Sequence, residues 1–98
     1  MKEYIQNILN EIDPDRNRSK MKLHTLVDAN EENSTHKIAT IYGGLNGYGD
    51  WTTYLFDIAA LIHKIDKNKC DCWLLNLKSD PADDLFELKI CIDEKGNF

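Results

Sequence analysis

The sequence predicts an α+β domain in which a largely antiparallel four-stranded sheet packs against two helices, in the order α-β-β-α-β-β. Two stretches place apolar residues at helical spacing, and four others show the period-two alternation of strands. The chain has 98 residues, of which 42% are hydrophobic and 30% charged, as in an ordinary globular protein. We therefore expect residues 1-98 to form a single compact domain.

The first half of the chain reads as a helix followed by a hairpin. Residues 2 to 12 carry apolar side chains at helical spacing, and Asp13-Pro14 ends this pattern because proline disfavours a helical residue before it. In the next segment Met21, Leu23, Thr25 and Val27 alternate with other residues, which predicts a strand. A polar turn leads to a second strand from Lys37 to Tyr42, and the two are expected to pair.

A glycine-rich loop, Tyr42 to Trp51, leads into the second helix. Four of the five glycines of the chain lie here, within seven positions. Asp50 is a good N-cap, and Trp51, Tyr54, Leu55, Ile58, Leu61, Ile62 and Ile65 form one apolar face. Phe56, Ala59 and Ala60 lie roughly opposite, which predicts a helix that is buried on two sides.

The last part of the chain predicts a second hairpin, formed by Cys70 to Lys78 and Leu85 to Asp93. The core face of the last strand carries Phe86, Leu88, Ile90 and Ile92. In its partner strand, Trp73, Leu75 and Leu77 are expected to share that face. The other face would then hold Cys70, Cys72, Leu74, Leu85 and Cys91, and its apolar character suggests a cover such as a second copy or a partner.

Charge and cysteine content limit the classes of partner and compartment. The formal net charge is -5 at pH 7, which disfavours nonspecific nucleic-acid binding and favours a basic protein partner. The sequence contains no long apolar run that would predict a signal peptide or a membrane contact. The odd number of cysteines, three, favours reduced thiols in a reducing compartment over a set of disulfides. We expect a cytoplasmic protein that binds no nucleic acid and no membrane.

No motif predicts catalysis or a cofactor. The glycine loop lacks the lysine and hydroxyl ending of a phosphate-binding loop. His24, His36 and His63 belong to three separate elements, and the cysteine spacing differs from that of zinc sites. Cys91, His63 and Asp57 are the candidates for a nucleophile, base and orienting group, but no recognised motif surrounds them. We therefore expect neither enzyme activity nor a metal or cofactor.

The glycine loop is a candidate recognition element, because tyrosine and asparagine would project from it. The segment from Tyr42 to Trp51 resembles the loop that enters the inhibitory helix of barstar-type nuclease inhibitors. This likeness covers about ten residues, and the antiparallel hairpins predicted here differ from the parallel sheet of that family. The resemblance implies that acidic residues approach cationic groups of a toxin active site, with Tyr48 as an aromatic anchor.

These observations favour a small acidic protein-binding module, of the immunity-protein or antitoxin type, that neutralises a basic, nuclease-like toxin by surface complementarity. The predicted contact residues are Asn46, Tyr48, Asp50, Asp80, Asp83 and Asp84. The alternative is a homo-oligomeric structural or accessory subunit without catalytic activity. Its homodimer would form through the sheet face predicted to bear Cys72, Leu74 and Cys91.

Overall fold

In the part of the chain that the structure describes, two α-helices and four strands follow one another in the predicted order. The computed structural model describes residues 1–14, 20–29, 36–47 and 53–95. The elements are α1 (Lys2–Ile12), β1 (Lys22–Asp28), β2 (His36–Gly43), α2 (Tyr54–Lys64), β3 (Cys70–Asp80) and β4 (Leu85–Glu94), with a 3-10 turn at Pro81–Asp83. The α+β prediction is confirmed.

The four strands form one sheet in the order β1-β2-β4-β3, and each neighbouring pair is antiparallel. Both predicted hairpins are present, and β2 pairs with β4 to join them at the centre. The edges of the sheet are therefore β1 and β3. An all-antiparallel sheet differs from the parallel sheet of barstar-type inhibitors, so the resemblance is confined to the loop.

Both helices contribute to one hydrophobic core on one face of the sheet. The buried residues of α1 and α2 belong to the same cluster as those of the two central strands, which include Ile41, Phe86, Leu88, Ile90 and Ile92. The Tyr54 ring at the start of α2 lies 4.9 Å from the Phe86 ring, measured between centroids. Each fully buried large side chain contributes about 1.5–3 kcal/mol to folding. We call this face of the sheet the helix side and the other the open side.

Helix α2 is buried on one side only, so the prediction of two buried sides is wrong. The Phe56 side chain is 76% exposed, and Ala59 is exposed as well. Helix α1 contacts α2, and Lys64 Nζ at the end of α2 lies 3.8 Å from Glu11 Oε2 of α1. Because both helices rest on the helix side, the outer surface of α2 faces solvent. The predicted N-cap Asp50 and Trp51 lie outside the described residues.

The predicted faces of β3 are mostly wrong. Residues that pair directly in an antiparallel sheet point to the same face. Cys72 pairs with Ile92 and Leu74 pairs with Ile90, so both lie on the helix side together with Cys70. Trp73 pairs with Cys91 on the open side.

The reason for the error is a bulge in β3. An extra residue, Leu75, interrupts the register between Leu74 and Asn76, and it returns Leu77 to the helix side opposite Leu88. A bulge between Leu23 and Thr25 changes β1 in the same way, so that Thr25 and Val27 lie on the open side. Simple alternation along the sequence therefore fails in both edge strands.

Candidate functional site

The β3–β4 connection and the end of β2 lie at the same end of the sheet. Gly43, the last residue of β2, pairs with Phe86 near the start of β4, and Asp80 pairs with Leu85 across the hairpin. The first residues of the glycine loop are thus brought next to the acidic turn. We call residues 44–46 together with residues 80–84 the acidic end.

The acidic turn is built by local signals. Asp80 caps the 3-10 turn, and its Oδ1 accepts a hydrogen bond from the Asp83 backbone N–H at 3.4 Å. Pro81 occupies the first turn position, where its missing N–H costs nothing. Asp84 ends the turn in the left-handed conformation, with φ 53° and ψ 49°. Aspartate tolerates this conformation better than most side chains.

The Asp84 carboxylate connects this turn to the glycine loop. Its Oδ1 accepts two hydrogen bonds, from the backbone N–H of Leu45 at 2.7 Å and from that of Asn46 at 2.6 Å. Hydrogen bonds to an ionised acceptor are short and strong. The Leu45 side chain is 1% exposed and belongs to the core. The start of the loop is therefore held both by an apolar anchor and by a carboxylate.

The glycines at the start of the loop provide close packing. A Cβ atom on Gly43 would lie 2.6 Å from Phe86 Cε1 and 3.1 Å from Met21 Cγ. On Gly44 the nearest atoms, all of Asp84, would be 3.5–3.6 Å away, an ordinary contact distance. Neither glycine has a φ in the left-handed region, so backbone conformation does not explain why glycine occupies these two positions. At Gly43 the reason is space for the Phe86 ring.

Four of the six predicted contact residues come together at the acidic end. Asn46 and Asp83 are exposed, whereas Asp80 and Asp84 are half-buried and help to build the turn. The Asp83 backbone N–H donates to Asp80 within the turn, whereas the Asp83 residue as a whole is exposed. Of the three aspartates, Asp83 is therefore the most accessible to a binding partner. Tyr48 and Asp50 lie outside the described residues.

Sequence patterns did not reveal the roles of Asp84 and Leu45. An aspartate just before a strand is a turn signal, but nothing in the sequence indicates which amides its carboxylate will reach.

Beside the turn, a cleft of about 80 Å³ is lined by Lys78, Asp80, Leu85 and Glu87. That volume suits a few water molecules rather than a small-molecule ligand.

The three cysteines are free thiols, and they do not share one sheet face. Cys70 and Cys72 lie on the helix side, where burial raises the pKa of both thiols. Cys91 lies on the open side, whereas His63 is on α2 across the sheet. These two candidate catalytic groups are therefore separated by the sheet. Within the described ranges, no three His, Cys, Asp or Glu side chains are grouped to hold a metal ion.

The open side of the sheet carries a second candidate surface. Val27, Ile38, Cys91 and Trp73 form one row across all four strands, as their cross-strand pairing shows. Ile38, Cys91 and Trp73 of this row line a cleft of about 220 Å³. Its other lining residues are Ala29, His36 and Leu75. The predicted grouping of Cys72, Leu74 and Cys91 on one face is wrong, because only Cys91 is on the open side. Leu74 lies on the helix side and is 48% exposed.

Comparison with protein-family models, curated proteins and solved structures found no match to this chain. The geometry and charge of the acidic end and of the sheet are therefore the basis for assigning a function.

Proposed function

We propose that this protein is an inhibitor of the immunity-protein or antitoxin type, which neutralises a basic, nuclease-like toxin by surface complementarity. The observation that carries the proposal is the attachment of the glycine loop to the acidic turn by the Asp84 carboxylate. This attachment presents Asn46 and Asp83 as neighbouring exposed groups on an ordered backbone. A binding surface that is already ordered loses less conformational entropy on association.

Charge supports the same proposal. The acidic end contains three aspartates, and the whole chain carries a formal net charge of -5. A negative surface speeds the diffusional encounter with a positively charged partner and disfavours acidic ones. A toxin that binds nucleic acid has such a positive surface at its active site. Tyr48 and Asp50 follow Asn46 closely in sequence, and we propose that they extend the contact surface.

We further propose that the protein works in the cytoplasm and without enzymatic activity. Free thiols persist in reducing compartments, and Cys70, Cys72 and Cys91 are all unpaired by disulfides. Neither α1 nor α2, the α-helices in the described part of the chain, has the length and apolar content needed to cross a membrane.

The partner should be sought first by affinity purification. The tagged protein is expressed in its native host together with the products of neighbouring genes, and the bound proteins are identified by mass spectrometry at moderate salt. A stoichiometric complex with a basic toxin would support the proposal. Recovery of this chain alone would contradict it.

The contact surface is then tested with charge-matched variants. Asp83→Asn removes one exposed charge from the acidic end and leaves the backbone bonds of the turn in place. Glu94→Gln removes the same charge at the other end of β4, about 30 Å away along the strand. We expect Asp83→Asn and Tyr48→Ala to weaken toxin binding at least tenfold, and Glu94→Gln to have little effect. Equal affinities for all three variants would exclude the acidic end.

The alternative function is that of a homo-oligomeric structural or accessory subunit. Trp73, Leu74 and Leu75 favour it, because three consecutive apolar side chains on an edge strand are 42%, 48% and 47% exposed. A monomer at micromolar concentration would argue against this alternative.

A further inference from the structure

The two edges of the sheet differ in how they are protected against pairing with another strand. At β1, the backbone N–H of Leu23 donates to Gln6 Oε1 of helix α1 at 3.0 Å. The strand is seven residues long and carries charges at Lys22 and Asp28. Short length, charge and a covering element are the usual protections of an edge strand.

Within the described residues, the central part of the β3 edge has neither a charged side chain nor a covering element, although the bulge at Leu75 interrupts it. The strand is eleven residues long, and residues 72 to 77 include no charged side chain. Its exposed apolar side chains occupy both faces, with Trp73 on the open side and Leu74 on the helix side. A flat partner surface laid on one face would cover only one of them. An added strand would lie beside both.

We propose that β3 is a self-association edge, at which a second copy of this chain pairs antiparallel about a two-fold axis. The axis passes between Leu74 and Leu75, which places Asp71 opposite Lys78 of the second copy. Because the interface is two-fold symmetric, this ion pair forms twice. In the same register Cys72 faces Leu77 and Trp73 faces Asn76 of the second copy.

The bulge at Leu75 makes this register possible. Asp71 and Lys78 are seven positions apart, so in a regular strand they would point to opposite faces. The structure pairs Asp71 with Asp93 and Lys78 with Glu87, both on the open side. Cys72 and Leu77 likewise both lie on the helix side. The pairs 71–78, 72–77 and 73–76 therefore share a face, as antiparallel pairing requires. The central pair differs, because Leu74 lies on the helix side and the bulged Leu75 lines the cleft on the open side.

Size and geometry agree with such a dimer. About ten residues from each β3 strand, 70 to 79, would face the second copy, and the two sheets would become one sheet of eight strands. Asp71 already contacts Lys95 Nζ at 3.1 Å, and its other carboxylate oxygen can accept from Lys78 of the second copy. The acidic turns would lie at opposite ends, roughly 35–40 Å apart, because the two Asp80 residues are eleven positions apart at about 3.3 Å per residue. The dimer therefore leaves both acidic ends accessible and does not depend on toxin inhibition.

The test is sedimentation velocity on the purified chain from 1 to 500 micromolar. We expect concentration-dependent dimerisation of the wild type, and at least tenfold weaker dimerisation of Asp71→Lys and of Lys78→Asp, because each puts like charges opposite one another twice. An equimolar mixture of the two variants restores both ion pairs in the heterodimer. It should therefore dimerise as strongly as the wild type.

A second pair of variants separates the edge from the open face. Leu74→Lys places a charge on the helix side of β3, and Val27→Lys places one on the open side at the far edge; these side chains are 48% and 52% exposed. Edge pairing predicts loss of the dimer for Leu74→Lys alone. A dimer abolished by Val27→Lys and kept by Leu74→Lys would overturn the proposal. So would a wild type that stays monomeric at every concentration, or a variant mixture that dimerises no better than its components.

Discussion

Removing the Asp84 carboxylate tests whether its two hydrogen bonds hold the glycine loop against the acidic turn. In Asp84→Ala, the backbone N–H groups of Leu45 and Asn46 lose their acceptor, Oδ1. A hydrogen bond to a charged group contributes about 1.5–3 kcal/mol, and the half-buried position of Asp84 favours the lower value, so the two bonds together are worth about 3 kcal/mol. Alanine in the left-handed conformation costs about 1 kcal/mol more.

Two further substitutions at this position separate these effects. Asp84→Gly loses both hydrogen bonds but adopts the left-handed conformation easily, so we expect a loss of about 2–3 kcal/mol in the free energy of unfolding. Asp84→Asn keeps a neutral acceptor and tolerates the conformation, which predicts a loss of about 1 kcal/mol. The expected order of destabilisation is therefore alanine, then glycine, then asparagine.

Urea unfolding followed by tryptophan fluorescence measures the global stabilities. Amide hydrogen exchange measures the contact itself, because the N–H groups of Leu45 and Asn46 should be protected in the wild type and exchange much faster in Asp84→Ala. The reasoning is refuted if Asp84→Ala unfolds within about 0.5 kcal/mol of the wild type, the range of ordinary surface substitutions. It is also refuted if these two amides exchange freely in the wild type.

Two other predictions concern packing and pH. Gly43→Ala should destabilise the fold by about 1–3 kcal/mol, because the new Cβ would overlap the buried Phe86 ring. Gly44→Ala should change the stability by less than about 1 kcal/mol, because its Cβ would make only ordinary contacts. Equal Tm values for the two variants would contradict this prediction. Burial raises the pKa of the Cys70 and Cys72 thiols above their ordinary value of 9.0, so the folded state holds these protons more tightly than the unfolded state. The associated stability is present below pH 9.0 and declines above it. A Cys70→Ala, Cys72→Ala double variant should show a shallower decline in urea midpoint above that pH, and identical slopes would exclude the thiols as its cause.

The order and type of the elements follow from local patterns in the amino-acid sequence. The helical spacing of Ile5, Ile8 and Leu9 predicts α1, and alternation of apolar residues predicts β4, because both patterns reflect which side of a regular element is buried. Asp80 before Pro81 is a local signal for the acidic turn, and the cluster of glycines from Gly43 to Gly49 is a local signal for the glycine loop. Such features depend on residues within a few positions of one another.

Which faces of the elements meet, and which acidic side chains stay exposed, depends on how the elements pack together. The bulge at Leu75 is set by pairing with β4, and it moves Trp73 to the open side and Cys72 to the helix side. The bond from Leu45 to Asp84 spans 39 positions of sequence, so no local pattern predicts it. Phe56 is exposed because it lies on the surface of α2 opposite the residues that pack in the core. In each case the outcome depends on contacts between segments far apart in sequence, and folding alone brings those segments together.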